Sequence, residues 1–120
     1  MIMKSISFIF NKAPYGNNSG RELLDICLMC SAFDMPINAI FKEQGVLQLL
    51  KAQEPDVLSM KNHSKTFQAL ELYGVEKIMV CEKSLQTLKF NSSDLLDIAT
   101  IENSSTINQV IAESDFVIML

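Results

Sequence analysis

A chain of 120 residues is long enough to bury a core but short for an enzyme that must also build its own closed cleft, so one domain spanning 1–120 is expected. The net charge is -4 and the Lys and Arg residues form no cluster, which disfavours direct contact with tRNA or DNA, because that affinity comes from concentrated positive charge displacing counterions from phosphates. The apolar run after Lys4 is too short for a signal peptide and no stretch is long enough for a membrane span, while an odd number of cysteines points to reduced thiols, so a soluble cytoplasmic protein is expected.

Strand and helix signals alternate along the chain. Ser5 to Phe10 is an unbroken apolar strand that feeds a helix through the loop from Asn11 to Ser19. A helix is predicted from Ser19 to Phe33, its Ser19 and Glu22 at capping-box spacing and its end set by Asp34-Met-Pro36. Ile37 to Phe41 reads as the second strand and Glu43 to Leu50 as a short helix. A loop from Lys51 to Met60, with Pro55, leads to a helix from an Asn62 cap to about Tyr73, with Phe67 and Leu70 on one face and Gly74 as its C-terminal cap. Glu76 to Cys81 is the third strand, Glu82 to Leu88 a helix, Leu95 to Ile101 a fourth strand, Thr106 to Glu113 a helix, and Phe116 to Leu120 a fifth strand. Five strands with helices between them, without repeats or linkers, predict a three-layer α/β/α domain on a parallel sheet, and such sheets place their sites at the carboxyl ends of the strands.

The first helix carries more apolar residues than one buried face needs. Between Leu23 and Phe33 only Asp25 and Ser31 are polar, so the helix is expected to have two dry faces. The second belongs either to another subunit or to neighbouring elements of the same domain. Seven methionines suit an adaptable interface and ordinary core alike.

Several residues have the spacing of chemical sites. Cys27-Leu-Met-Cys30 is a C-x-x-C pair, but it lies mid-helix, away from the N-terminal dipole that activates a dithiol. With one histidine and no second cysteine pair, this chain alone does not assemble tetrahedral zinc, and no metal is expected. Both cysteines read as buried small hydrophobes. His63 follows a helix cap, where an exposed polar side chain is ordinary, and nothing supports a Ser-His-Asp or Cys-His arrangement. The loop from Pro14 to Gly20, with Arg21, has the makings of an anion site at a helix N-terminus. It matches no nucleotide-binding motif and reads equally as a structural turn, so no cofactor is expected. Cys81 is different, because it ends the third strand where a helix begins, at the edge where helix N–H groups stabilise a thiolate. Glu82 beside it opposes that ionisation, and a buried strand-end cysteine is the alternative reading.

The combination of Ala13-Pro-Tyr-Gly16, Ser19-Gly-Arg-Glu22 and Leu24-Asp25, then Phe41, Gly45-Val-Leu-Gln-Leu-Leu50 and Pro55-Asp56, then Thr66-Phe67, Leu72-Tyr73, and Val80-Cys81 with Ser84-Leu85, resembles the DsrE/DsrF-like family. Within it, the pattern is similar to the C-type subunit of a bacterial sulfur relay, and it runs from Lys4 to Leu120. The resemblance implies a parallel α/β/α fold and a heterohexamer, a dimer of trimers with B-type and D-type subunits. That assembly works with sulfur-carrier proteins toward 2-thiolation of the wobble uridine of certain tRNAs. It implies that the persulfide cysteine is the D-type partner's, and that this chain is a non-enzymatic structural and docking subunit. Cys81 falls where the D-type subunit keeps its sulfur-accepting cysteine, but Glu82 and Lys83 follow it where that subunit has small apolar residues. The alternatives are a DsrF-type subunit of oxidative sulfur metabolism, or a stand-alone flavodoxin-like ligand-binding protein.

Overall fold

The computed structural model describes residues 5–12, 19–33, 36–49, 75, 77–91, 93, 95 and 99–119. Strand β1 (Ile6–Phe10) leads to α1 (Ser19–Ser31), β2 (Ile37–Phe41), a 3-10 segment η1 (Glu43–Leu49), β3 (Lys77–Cys81), α2 (Glu82–Thr87), β4 (Thr100–Glu102), α3 (Ser104–Glu113) and β5 (Phe116–Ile118). The expected helix from Asn62 to Tyr73, the loop around Pro55 and the Gly74 cap lie outside the described residues.

The sheet has the order β4-β3-β2-β1-β5 and every neighbouring pair is parallel, as the alternating pattern predicts. From β1 to β4 each strand is laid down on the same side of its predecessor. Right-handed crossovers therefore put α1, η1 and α2 on one face, while α3, on the return from β4 to β5, lies on the other. The packing follows. Leu23, Leu24 and Cys27 of α1, Val46 and Leu49 of η1, and Leu85 of α2 share one cluster with Phe8, Phe10, Phe41 and Val80. Ile107 of α3 packs with Ile40, Met79 and Cys81 on the opposite face. Successive strand residues point to opposite faces, so this places the Cys81 side chain under α3 and not under α1.

Phe10 and Phe41 stand opposite each other in register, with ring centroids 4.6 Å apart, and their stack closes the carboxyl end of the main core. Directly above it, Lys42 donates to the Phe10 carbonyl at 3.1 Å and Gly45 donates to the Lys42 carbonyl at 3.0 Å. A Cβ at Gly45 would collide with the backbone carbonyl of Phe10. Only glycine lets η1 sit this close to the strand end. At the other end of the sheet, Ser5 donates its backbone N–H to the Asp115 carboxylate at 2.8 Å and accepts from the backbone N–H groups of Asp115 and Phe116, fixing the entry of β5 beside β1.

Two expected elements change. The fourth strand begins at Thr100 and not at Leu95, because Leu95 is drawn into the main core as an isolated bridge residue and does not extend the ladder. The last helix starts at Ser104 and not at Thr106, because Asn103 caps it, its side-chain oxygen accepting the Thr106 N–H at 2.8 Å. In α1, Leu23, Leu24 and Cys27 are buried, and Ile26, Leu28 and Cys30 pack partly against them. The helix ends at Ser31 and not at Phe33; Met29, 64% exposed, is the uncovered part of its second dry face, and Phe33, 71% exposed, follows in the turn beyond it. Cys27 has no exposed surface, as expected of a small core hydrophobe. Burial, with Cys30 adding to it, pushes the Cys27 thiol up to about 12.

Gly45→Ala is expected to destabilise the fold by at least about 1–3 kcal/mol, since backbone must move to admit the methyl group; urea unfolding measures it. Cys27 sets a second expectation. Its unfolded thiol ionises near 9 and its folded thiol near 12, so its contribution is intact below pH 9. Between these values the unfolded state has lost a proton that the folded state keeps, and stability falls by up to about 1.4 kcal/mol per pH unit. Alkaline unfolding series on wild type and Cys27→Ala check this, the decline being shallower in the variant.

Candidate functional site

The carboxyl edge of the sheet gathers three chain segments around one sulfur atom. β3 ends at Cys81, which is also the residue preceding α2, with φ -70° and ψ 117°. η1 begins just beyond β2, and α3 begins just beyond β4. The cleft between them has a volume of about 630 Å3, and Cys81 lines it. Lys42 and Glu43 contribute from the end of β2, Lys83 and Ser84 from α2, and Ser104 and Asn108 from α3.

The Cys81 residue is only 8% exposed, and burial by itself pushes its thiol up. Hydrogen-bond donors outweigh burial. The Ser84 hydroxyl and N–H, the Ser104 hydroxyl and the Lys83 N–H all favour the thiolate, and the thiol lies below its ordinary value. The Cys81 side chain makes no capping hydrogen bond to α2. The Ser104 hydroxyl stands 3.9 Å from Sγ, a long contact, and Ser104 owes its place to the Asn103 cap that starts α3.

Ser84 is held from the other side. The Glu43 backbone N–H donates to the Ser84 hydroxyl at 2.8 Å, tying η1 to α2 across the mouth of the cleft. Glu43 reaches this position with φ 54°, a left-handed conformation that is uncommon for any residue but glycine. The far end of α2 is fixed by a Schellman closure in which Lys89, also left-handed at φ 61°, donates to the Gln86 carbonyl and Phe90 donates to the Leu85 carbonyl.

Cys81 thus sits at the sheet edge beside a helix start, as its place in the sequence predicts. The opposition expected from Glu82 does not prevail, because its side chain is exposed to water and the nearby donors dominate the thiol. Ser84, which the sequence reading used only for the resemblance, and Ser104 and the Glu43 amide were not picked out there as site residues. Ser84 had a legible signal, standing three residues after Cys81 in the third position of a helix. Glu102 was also missed, and it lies opposite Cys81 in the β3–β4 register. The C-x-x-C pair contributes nothing to this cleft, since Cys27 is in the main core on the other face. Among the described residues, no three His, Cys, Asp or Glu side chains are gathered as a metal site requires. The loop residues 13–18 and His63, together with the side chain of Arg21, lie outside the described residues.

The fold has counterparts. The chain is 37% identical over 114 residues, 94% of its own length and 96% of the other, to the protein TusC homolog of Aliivibrio fischeri (strain ATCC 700601 / ES114). It superimposes on the crystal structure of the ychN protein from E. coli with a TM-score of 0.85 at 19% identity, covering 98% of this chain and all (100%) of that one. A protein of unknown function from Methanobacterium thermoautotrophicum, MTH1491, gives a TM-score of 0.69 at 17% identity, covering 99% of this chain and 100% of that one. Likeness at these identities speaks for the fold alone. Residues 4–120 match the model of the DsrE/DsrF-like family, and with that coverage the chain belongs to the family.

Proposed function

We propose that this chain is the C-type subunit of a cytoplasmic TusBCD-like sulfur relay, a structural and docking member that itself catalyses no step. Its partners are B-type and D-type subunits in a heterohexamer, a dimer of trimers, and sulfur reaches the assembly and leaves it on carrier proteins. The relay passes persulfide sulfur toward 2-thiolation of the tRNA wobble uridine. The observation that carries the docking role is the exposed Met29 on α1, whose other side is already in the core, together with the exposed Phe33 just past the helix end. Likeness to a TusC homolog along nearly the whole of both chains supports the pathway. An acidic chain suits a member that meets carrier proteins and never tRNA itself.

Cys81 favours a second reading, in which the chain also carries sulfur. A thiolate at Cys81 attacks the outer sulfur of a donor persulfide, R–S–SH. The donor's S–S bond breaks, its inner sulfur leaves as a thiolate, and the outer sulfur is now bonded to Sγ as a persulfide. The exchange is isoelectronic and needs no oxidant. The lowered thiol and the cleft in front of it supply the nucleophile and the space.

Expressed alone, the chain is expected to self-associate, whereas coexpression with B-type and D-type partners yields a soluble larger assembly; size-exclusion chromatography reads the difference, and a stable monomer at high concentration contradicts the docking role. Deleting the gene is expected to remove most 2-thiouridine from the affected tRNAs, measured by mass analysis of nucleosides. In an assembly shown to be intact, Cys81→Ser is expected to leave thiolation near the wild-type level. Loss of thiolation there, with persulfide trapped on wild-type Cys81, establishes the carrier reading instead.

A further inference from the structure

We propose that the open edge of β5 is a docking surface for a second copy of this chain: the two β5 strands pair antiparallel about a two-fold axis at Val117, and the sheets of the two copies become continuous. The proposal concerns the chain by itself and does not depend on the sulfur-relay reading.

Strand β5 ends the sheet order, with β1 beside it. The ladder fixes which way its backbone groups point. The Ile6 N–H donates to the Pro36 carbonyl at 3.0 Å, on the β2 side, and the Phe116 N–H donates to the Ser5 carbonyl at 3.1 Å, toward β1. With Phe116 opposite Ile6 in a parallel register, Phe116 and Ile118 are the residues of β5 that bond to β1. The N–H and C=O of Val117, between them, therefore point away from the sheet. A residue with both groups directed outward is complementary to itself. In an antiparallel pair each Val117 gives its N–H to the carbonyl of the other and accepts in return, which is the closely spaced hydrogen-bonded pair of such a ladder and the form an isologous contact takes.

The side chains suit the same axis. Phe116 is 49%, Val117 46% and Met119 54% exposed, so large apolar surface stands uncovered on both faces of this edge. Ile118 packs against the main core, which puts Phe116 with it on the α1 face and Val117 on the α3 face. About an axis at Val117, Phe116 stands opposite Ile118 of the second copy. Two aromatic and β-branched pairs then form on one face and a Val117 pair on the other, the cross-strand contacts that stabilise an antiparallel ladder. A second copy thus meets every apolar side chain of β5 with another from β5. The edge also lacks what keeps strands apart. Residues 116–119 carry no charge, proline or glycine, whereas β4 at the opposite edge carries Glu102.

The test is sedimentation equilibrium of the full-length chain. Three residues of strand make a small contact, so the dimer is expected to form and dissociate with concentration. Val117→Lys sets two like charges at the axis, with circular dichroism confirming the fold, and is expected to weaken the dimer at least about tenfold. Under mild oxidation Val117→Cys is expected to give a disulfide-linked dimer, since directly paired residues stand about 5.5 Å apart at Cα. Met119→Cys is expected not to, because its two copies lie four residues apart along the paired strands, about 14 Å. Peptide mass analysis separates these links from any made by Cys27, Cys30 or Cys81, and the two cysteine variants decide the matter if Val117→Lys does not fold. A chain that stays monomeric at every concentration overturns the proposal, as does Met119→Cys linking as readily as Val117→Cys. A dimer that survives Val117→Lys and is lost in Met29→Ser assigns self-association to α1, overturning the β5 pairing while the docking role of that helix stands.

Discussion

Handedness is the constraint on which the rest of this molecule depends. Because β1, β2, β3 and β4 are laid down in one direction, right-handed crossovers place α1, η1 and α2 over a single face, and the long core of phenylalanine, leucine and valine forms there. Among the described residues, the other face is covered by α3, ten residues of helix between the end of β4 and the start of β5. This asymmetry puts the start of α3 at the carboxyl edge beside β3. The last residue of β3 therefore meets Ser104 without any segment being devoted to that purpose. The same asymmetry crowds the helices on the first face, where α1 already gives one side to the core and shows Met29 to the outside, with Phe33 exposed just past its end.

The carboxyl edge is a place where backbone donors accumulate for reasons of connectivity. Each strand that ends there must turn into something, and the first amides of the element that follows lack intrahelical partners. η1, α2 and α3 all begin within reach of one cleft, which explains how a sulfur that is nearly buried is nonetheless inclined to ionise. Cys27 provides the contrast within the same chain. It is surrounded by side chains of α1 and the sheet, and it has burial without donors, so its thiol is pushed to about 12. Two buried cysteines on opposite faces move in opposite directions because only one of them is near the ends of secondary structure.

Much of this was legible from the sequence, and the failures have physical causes. Ile37 to Phe41 was readable as a strand because its apolar run is bounded by Pro36 and Lys42, and the structure gives the same bounds. Leu95 misled because apolar residues near a strand look like the strand, whereas its side chain caps the core from an isolated bridge. The start of α3 was ambiguous because Asn103, Ser104, Ser105 and Thr106 are all capping residue types, and only tertiary placement selects Asn103. Cys81 was found from its position at a strand end. Its acidity was not readable, because Glu82 is a sequence neighbour that contributes little, while the amide that orients Ser84 belongs to a residue 41 positions away.

Acidity and access are separate requirements for a thiol that hands on sulfur, and this cleft satisfies them differently. Sγ of Cys81 lies in a residue 8% exposed, so a bulky donor has little of it to touch. A sulfur bonded to it would stand about 2 Å further out. Cys81 lines a cleft of about 630 Å3 together with Lys42, Lys83 and Asn108, a volume that has room for such a sulfur. What distinguishes a carrier from a platform on this fold is whether that cleft stays uncovered. The thiol is prepared by elements of the chain itself, whereas access to it depends on what occupies the cleft mouth.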